Sequence, residues 1–233
     1  EAGETVFVPG ATCYRDAAGL FGASARRVVV PAARVTRVSD ELGAQAILLS
    51  LAATARHALA GSEPGGSVLI VGHVVVGRLL AGLLIADGHP PPTVWEQSAQ
   101  RMTGARGYTV TTAEACPEAT YETIIDASGD GGLLDTLVGR LVKGGEIILA
   151  GFYAQPLSFS FAPAFMREAR LRIAAEWQPG DLAAVLDHLA KGSLSLDGLI
   201  SHTVPAAAAD EAYRTAFTDP ACTKMVLDWR QAQ

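Results

Sequence analysis

One apolar run, Ser67 to Ala86, constrains the fold of this chain more than any other segment. It reads SVLIVGHVVVGRLLAGLLIA, and a helix needs roughly 20 apolar residues to cross a bilayer. However, a Gly-His pair interrupts the run, and Arg78 near its middle would cost about 2.5 to 3.5 kcal/mol at the bilayer centre. We therefore reject a membrane span and predict no integral membrane segment.

The same run is better explained as a strand, a turn and a helix. Its residues predict a buried strand from Val68 to Val71, a tight turn at Gly72 and a helix from about Val75 to Asp87. Gly88 supplies a C-terminal stop for that helix. A strand, a glycine turn and a helix in this order make half of a βαβ unit.

The surrounding sequence indicates an α/β protein. From residue 66 to about residue 176, short apolar runs alternate with helix-length stretches, which is typical of a parallel sheet covered on both faces. The runs are VLIV, TVWE, TIIDAS, EIILAG and LRIAAE. We therefore predict an α/β fold with a doubly wound parallel Rossmann sheet over residues 56–180.

Both ends of the chain have a different pattern. Residues 5–38 contain short β-branched runs broken by turns, as in a small antiparallel barrel or sandwich, and AQAILLSLAATARHALAG then predicts one buried helix. The tail predicts a helix, a strand, a second helix after Pro205 and a final strand KMVLDW. We expect residues 1–55 to form a partial β domain with its connecting helix, and residues 181–233 to return to that domain.

Charge and cysteine content limit the partners and the compartment. The chain has 18 basic and 24 acidic residues and a net charge of -6, which disfavours nucleic acid as a partner. Cys13, Cys116 and Cys222 are far apart and odd in number, so they predict neither a disulfide framework nor a structural zinc lobe. With no secretory signal visible, we expect a reducing, cytoplasmic location.

The turn carries a partial nucleotide motif. Gly72, Val74 and Gly77 occupy the three key positions of G-x-G-x-x-G, where the first glycine makes the turn and the third lets the helix approach the strand. The middle glycine normally leaves room for a pyrophosphate at the helix N-terminus. Val74 in its place would weaken or displace a dinucleotide, so a nucleotide site and a tight turn without a ligand both remain open.

Glu96 favours the nucleotide interpretation. It ends the run TVWE, 24 residues after Gly72, close to the separation at which an acidic residue accepts hydrogen bonds from an adenosine ribose. A carboxylate there repels a 2'-phosphate, so we expect NAD rather than NADP. The alternative for Glu96 is a carboxylate at a solvated strand end. Arg101, five residues further on, could approach the edge of the ribose or simply cap a helix.

These segments together resemble a known family. The order LLSLAATARHALAG, VLIVGHVVVG, VWE, IIDASGD and EIILAGFY is similar to the nucleotide-binding half of the medium-chain dehydrogenases/reductases. Three longer strings resemble a zinc-free branch of that family that acts on a chlorin in bacteriochlorophyll synthesis. They are DASGDGGLLDTLVGRLVKGGEIILAGFY, AFMREARLRIAAEWQPGDLAAV and EAYRTAFTDPACTKMVLDW.

The resemblance implies an activity and an assembly. It implies oxidation of the 3-(1-hydroxyethyl) group of a bacteriochlorophyllide to 3-acetyl, with NAD accepting the hydride. It also implies a GroES-like substrate domain, and because the chain opens within what look like its late strands, at ETVFVPG, we expect that domain to be partial. Finally, it implies a homodimer formed through the edge strand Leu171 to Glu176.

The resemblance also implies roles for individual residues. The cofactor-binding candidates are Gly72, His73, Val74, Val76 and Gly77 at the pyrophosphate, Glu96 and Arg101 at the ribose, Ser128 and Gly129 along the crevice, and Gly151 and Phe152 near the nicotinamide. The catalytic candidates are Thr54, which matches a helix threonine near that ring, and Tyr153, whose hydroxyl suits a proton relay. Thr54 has the alternative of bonding a helix carbonyl, and Phe152 that of packing in the core.

Zinc is where the chain departs from the metal-dependent members. Ser50 stands four residues before Thr54, where those members carry a Cys or Glu ligand, and serine is a poor zinc donor. The histidines His57, His73, His89, His188 and His202 share no ligand spacing. We predict no metal. Two other functions remain open, a catalytically silent Rossmann binding module and a generic zinc-free alcohol or quinone oxidoreductase.

Overall fold

The structure, a computed structural model, describes residues 2–11, 20–21, 24–62, 66–117 and 119–230. Cys13 lies outside these residues. The chain divides into two compact units, of which one comprises Glu1–Ser50 with Leu196–Gln233 and the other Leu51–Ser195. The domain limits drawn from the sequence stay a prediction, and each unit is described by itself.

The regular elements are numbered along the chain. The strands are β1 (Val6–Phe7), β2 (Gly10–Ala11), β3 (Leu20–Phe21), β4 (Thr36–Arg37), β5 (Val68–Val71), β6 (Thr93–Trp95), β7 (Thr109–Thr111), β8 (Tyr121–Asp126), β9 (Leu141–Leu149), β10 (Arg170–Ile173), β11 (His202–Pro205) and β12 (Met225–Asp228). The α-helices are α1 (Leu49–Leu59), α2 (Val75–Ala86), α3 (Leu134–Gly139), α4 (Phe161–Met166), α5 (Pro179–Ala190) and α6 (Ala209–Thr218). Short 3-10 helices cover Ala32–Arg34, Asp40–Leu48, Ala99–Arg101, Gly131–Leu133 and Ala206–Ala208.

The larger unit is built on a parallel sheet. Strands β5 to β10 pair in the order β7-β6-β5-β8-β9-β10, and every neighbouring pair is parallel. Numbered from β5, this is the order 3-2-1-4-5-6 of dinucleotide-binding folds, in which ligands bind where the strand order reverses, between the first and fourth strands. The predicted α/β class with a doubly wound parallel sheet is confirmed, and the reversal lies between β5 and β8.

The apolar run at residues 67–86 folds as its pattern predicts. All four residues of β5 are buried, as expected for a central parallel strand, and α2 follows after a short turn. Gly88 has a φ of 84°, a left-handed conformation that ends helices well. Among the described residues, no helix is long and apolar enough to cross a membrane.

Some elements differ from the prediction. The edge strand predicted at Leu171 to Glu176 is shorter, since β10 covers Arg170–Ile173 and Glu176 has a φ of 55°. Strand β7 was not among the predicted runs, because TVT is short and only half-buried, and an edge strand needs no continuous apolar run. Residues 40–48 form a 3-10 helix rather than the start of the long α-helix, and Gly43 within them has a φ of 47°. Helix α1 therefore begins only at Leu49.

The smaller unit contains short strand pairs. β1 pairs with β4 and β2 with β3, both antiparallel, as predicted for residues 5–38. β11 and β12 pair in parallel, and α6 belongs to the same unit. A groove of about 530 Å³ lies along α6 and β12, with the stacked rings of Tyr213 and Phe217 on its wall.

Candidate active site

The strand register gathers the predicted site residues at one edge of the sheet. Val71, the last residue of β5, is level with Trp95 on β6 and with Asp126 on β8, and Asp126 is level with Leu149 on β9. Because parallel strands end on the same side, the residues that follow them lie side by side. These are Gly72, Glu96, Ala127 and Ala150.

Both glycines of the motif are needed for the backbone itself. Gly72 has a φ of 97°, and a Cβ added there would lie 3.2 Å from the carbonyl oxygen of Ala127. A Cβ on Gly77 would overlap the carbonyl oxygen of Gly72. Gly72 therefore makes the turn and Gly77 lets α2 approach it, which are the roles that the motif predicts.

Val74 is tolerated by the turn. It precedes the first residue of α2 with φ −90° and ψ −166°, an extended conformation open to any residue. Its side chain cannot cap the helix, and no side-chain cap is present at this end. The first N-H groups of α2 therefore lack the cap that would otherwise satisfy them, and such groups favour an anion.

Glu96 is held by backbone amides. Its Oε2 accepts the N-H of His73 at 3.1 Å, and its Oε1 accepts the N-H groups of Gln97 at 2.9 Å and Ser98 at 2.8 Å. An ionised carboxylate has about four acceptor sites, so capacity remains for a further donor. The half-buried carboxylate joins the glycine turn to the loop after β6, which does not fit a merely solvated strand end.

His73 lies behind the turn and is fully buried. Its Nδ1-H donates to the carbonyl of Arg101 at 2.6 Å, and the hydroxyl of Tyr108 donates to its Nε2 at 2.8 Å. The pKa of His73 is lowered from its usual value, mainly by burial. The bond to the Arg101 carbonyl and the Glu96 carboxylate oppose this shift, whereas the Arg78 guanidinium adds to it. His73 is therefore a neutral imidazole that supports the site from inside.

Arg78 strengthens the same support. Its guanidinium donates to the carbonyls of His73 at 3.1 Å and Thr103 at 2.9 Å. It also reaches the carbonyl of Arg101 at 3.3 Å. Arg101 contributes its backbone carbonyl to this cluster. Sequence reasoning missed both Arg78 and Tyr108 as members of it.

Asp126 is the main site residue that the sequence analysis did not identify. It is fully buried at the end of β8, where Oδ1 accepts the N-H of Ser128 at 2.9 Å and its hydroxyl at 2.6 Å. Oδ2 accepts the hydroxyl of Tyr153 at 2.8 Å. Burial, the charge of Asp126 and this hydrogen bond raise the pKa of Tyr153 far above its usual range. The available signal was an Asp ending an apolar strand two residues before Ser128-Gly129.

The loop after β9 is packed against the loop after β8. A Cβ on Gly129 would lie 2.8 Å from the carbonyl oxygen of Phe152, and a Cβ on Gly151 would lie 2.7 Å from the amide nitrogen of Gly129. The side chain of Phe152 is 96% exposed, so the core alternative for it is wrong. Thr54 is half-buried on α1.

The position predicted to lack a zinc ligand lies at the start of α1, where Ser50 is the second residue. In the part of the chain that the structure describes, no group of three or more His, Cys, Asp or Glu side chains is placed to hold one metal ion. The prediction of a metal-free enzyme stays a prediction.

The chain is similar to proteins of known family. No protein-family model matches it. It is 56% identical to the 2-desacetyl-2-hydroxyethyl bacteriochlorophyllide A dehydrogenase of Rhodobacter capsulatus over 232 residues, which are 99% of this chain and 74% of the relative. It is also 56% identical to the enzyme of the same name from Cereibacter sphaeroides, over 98% of this chain and 73% of the relative.

Solved structures agree on the fold. A structure described as a short-chain alcohol dehydrogenase from Escherichia coli CFT073, in complex with NADH, superposes with a TM-score of 0.75 at 20% identity. The match covers 87% of this chain and 64% of that one, so the chain spans less than two thirds of this neighbour. The predicted enzyme class, an alcohol dehydrogenase of the medium-chain type, is confirmed. The chain belongs to the family of 2-desacetyl-2-hydroxyethyl bacteriochlorophyllide a dehydrogenases.

Proposed function

We propose that this chain catalyses the NAD-dependent oxidation of the 3-(1-hydroxyethyl) group of a bacteriochlorophyllide to 3-acetyl, in bacteriochlorophyll a synthesis. The observation that carries this proposal is 56% identity, over almost the whole chain, to enzymes named for that hydroxyethyl substrate. The reaction removes a hydride from the carbinol carbon and a proton from its hydroxyl. A nicotinamide held at the crevice would supply the hydride acceptor, the hydroxyl proton would leave to solvent, and the residues of the crevice would position the two partners.

The carboxyl edge of the sheet fits a dinucleotide. The glycine turn and the uncapped N-terminus of α2 suit a pyrophosphate. Glu96, fixed by three amides, retains acceptor capacity for a ribose hydroxyl and would repel a 2'-phosphate. These features support NAD over NADP, with Ser128, Gly129 and Gly151 lining the crevice.

Tyr153 acts in this proposal as a positioning residue. Its proton lies between Oη and Oδ2 of Asp126, and its raised pKa opposes ionisation at neutral pH. The same carboxylate holds Ser128, so one buried group fixes both loops that flank the crevice. Thr54 then remains the candidate for a direct catalytic contact.

The assembly we propose is a homodimer. Among the described residues, β10 pairs with β9 alone, which leaves one edge of the parallel sheet uncovered. Exposed apolar side chains, Phe161, Phe165, Met166 and Ile173, lie on β10 and the adjacent α4. A second copy of the chain would cover both the edge and these side chains.

The first test is NADH titration by fluorescence, run beside NADPH, on the parent chain and on Val74→Ala and Val74→Gly. We expect micromolar NADH binding by the parent and binding of NADPH that is at least about tenfold weaker, a difference of about 1.4 kcal/mol. The alanine variant is the matched control, because it shortens the side chain without adding backbone freedom. Equal binding of the two nucleotides would contradict the role of Glu96.

Val74 favours a second candidate function, a catalytically silent Rossmann module. If the parent binds no NADH and both variants restore binding, the valine side chain closes the site and this second function gains support. If no variant binds a nucleotide, the dinucleotide site itself is wrong. Turnover of a simple quinone in preference to a chlorin alcohol would instead indicate a generic oxidoreductase.

A further inference from the structure

The side chain of Phe152 is unusual among the apolar residues of the larger unit. It is 96% exposed, although it lies only three residues after the end of β9, at the carboxyl edge of the sheet beside the crevice. Phenylalanine is normally among the more buried residues. An exposed phenylalanine beside the crevice of the candidate site therefore suggests that the ring contacts a ligand.

Hydrogen bonds of the two neighbouring residues hold Phe152 in its exposed position. The N-H of Gly151 donates to the carbonyl of Asp126 at 2.8 Å, and the hydroxyl of Tyr153 donates to the Asp126 carboxylate at 2.8 Å. The Phe152 carbonyl lies so close to Gly129 that a Cβ there would be only 2.8 Å away. Because both neighbours are tied to the buried Asp126, the loop cannot easily withdraw the ring into the protein.

We propose that Phe152, instead of contacting the nicotinamide as the family resemblance implies, is a specificity-determining residue whose ring packs against the face of the flat tetrapyrrole macrocycle of the substrate. This inference rests on the proposed function. A macrocycle offers a broad planar apolar face, and aromatic side chains bind such faces by offset stacking or edge contacts. A small alcohol or a sugar offers no face of that size, so the ring would discriminate by substrate class.

The test measures equilibrium binding, so that it does not depend on turnover. The probe is 3-(1-hydroxyethyl) bacteriochlorophyllide a, followed by its own absorption and fluorescence, with NADH titrated separately. The variants are Phe152→Ala and Phe152→Trp. Phe217→Ala, an 84% exposed phenylalanine on α6 in the other unit, is the matched control.

We expect Phe152→Ala to raise the pigment Kd about tenfold, the scale of one aromatic contact. Phe152→Trp should stay within about twofold of the parent because it restores an aromatic face. NADH binding should be unchanged in both variants, and Phe217→Ala should match the parent in every measurement. Equal pigment binding by the parent and Phe152→Ala would overturn the inference.

Other results separate this inference from the proposed function. Weaker NADH binding with unchanged pigment binding would assign the ring to the nicotinamide and overturn the inference. A parent that binds no pigment would overturn both. A parent that binds the pigment through Phe152 but does not oxidise it with NAD would remove the proposed function and leave the inference standing.

Discussion

At the scale of single residues, His73 connects three parts of the candidate site. Its backbone N-H donates to the Glu96 carboxylate. Its ring Nδ1-H donates to the Arg101 carbonyl, and its Nε2 accepts the Tyr108 hydroxyl. A buried imidazole with both nitrogens satisfied fixes one tautomer and one orientation. The position of the Glu96 carboxylate therefore depends on a residue whose own side chain is buried behind the turn.

Removing one hydroxyl tests this support. Tyr108→Phe leaves the buried Nε2 of His73 without a donor, and an unsatisfied buried group costs about 1–3 kcal/mol. We expect the free energy of unfolding in urea to fall by that amount. The control is Tyr213→Phe, because Tyr213 is exposed on α6, and its effect should stay within about 0.5 kcal/mol. Equal losses in the two variants would contradict the cluster.

The same histidine predicts a pH dependence. Its pKa is lowered in the folded protein, mainly by burial, so the unfolded chain binds the proton more readily. Stability from this group is therefore present above the unfolded pKa of about 6.5 and is lost as the pH falls toward the lower folded pKa.

We expect the free energy of unfolding of the parent to decrease between about pH 7 and pH 5. His73→Gln lacks this titration and should show a smaller decrease, although it is less stable throughout. Urea unfolding at several pH values measures both slopes. Parallel slopes would mean that His73 titrates alike in both states.

The residues of the candidate site differ in whether a local sequence pattern predicts them. Glu96 was predictable because a strand-end acid at a known separation from a glycine turn is a local pattern. Asp126 and Tyr108 were not, because their partners Tyr153 and His73 lie 27 and 35 residues away. No local pattern records which distant side chain will complete a buried hydrogen bond.

At the scale of elements, the contact between β5 and α2 fixes the crevice. Gly77 on α2 abuts the carbonyl of Gly72, whereas a Cβ on Gly82 of the same helix would meet only a side-chain methyl of Leu194, at 3.1 Å. The same substitution at these two positions should therefore have opposite effects.

We expect Gly77→Ala to destabilise the protein by about 1–3 kcal/mol through overpacking and to weaken NADH binding. Gly82→Ala should be neutral or stabilising by up to about 1 kcal/mol, because alanine favours a helix over glycine. Urea unfolding and NADH titration check both. Similar losses in the two variants would show that the close approach of Gly77 to the Gly72 carbonyl does not distinguish the two positions.

Elements with strong periodicity were predictable, whereas β7 and the 3-10 helix at Asp40–Leu48 were not. β5 and α2 have continuous or helical apolar patterns, and their limits agree with the structure within a residue or two. β7 carries no such pattern because one of its edges is unpaired among the described strands. The 3-10 helix at Asp40–Leu48 has helical spacing but a glycine with positive φ, which spacing alone does not reveal.

At the scale of the whole molecule, the parallel sheet was predictable from alternating runs, whereas what covers its edges was not. Among the strands that the structure describes, β10 has one unpaired edge, and Ile173 on it is 76% exposed. Edge strands are protected by charge, by a cover or by a second chain. Arg170 supplies an exposed charge, whereas the Arg172 guanidinium is bonded to Ser62 and the Ala58 carbonyl, and the apolar side chains of α4 nearby argue for a second chain.

A homodimer formed through this edge is therefore the last prediction. We expect light scattering at micromolar concentration to give twice the chain mass of 24.2 kDa. Ile173→Lys places a charge on the edge and should shift the particle toward the chain mass, because a buried unpaired ammonium opposes edge-to-edge pairing. Phe217→Lys, equally exposed but on α6, should remain dimeric. A monomeric parent, or a dimer unaffected by Ile173→Lys, would exclude β10 as the interface and leave its apolar edge to another partner.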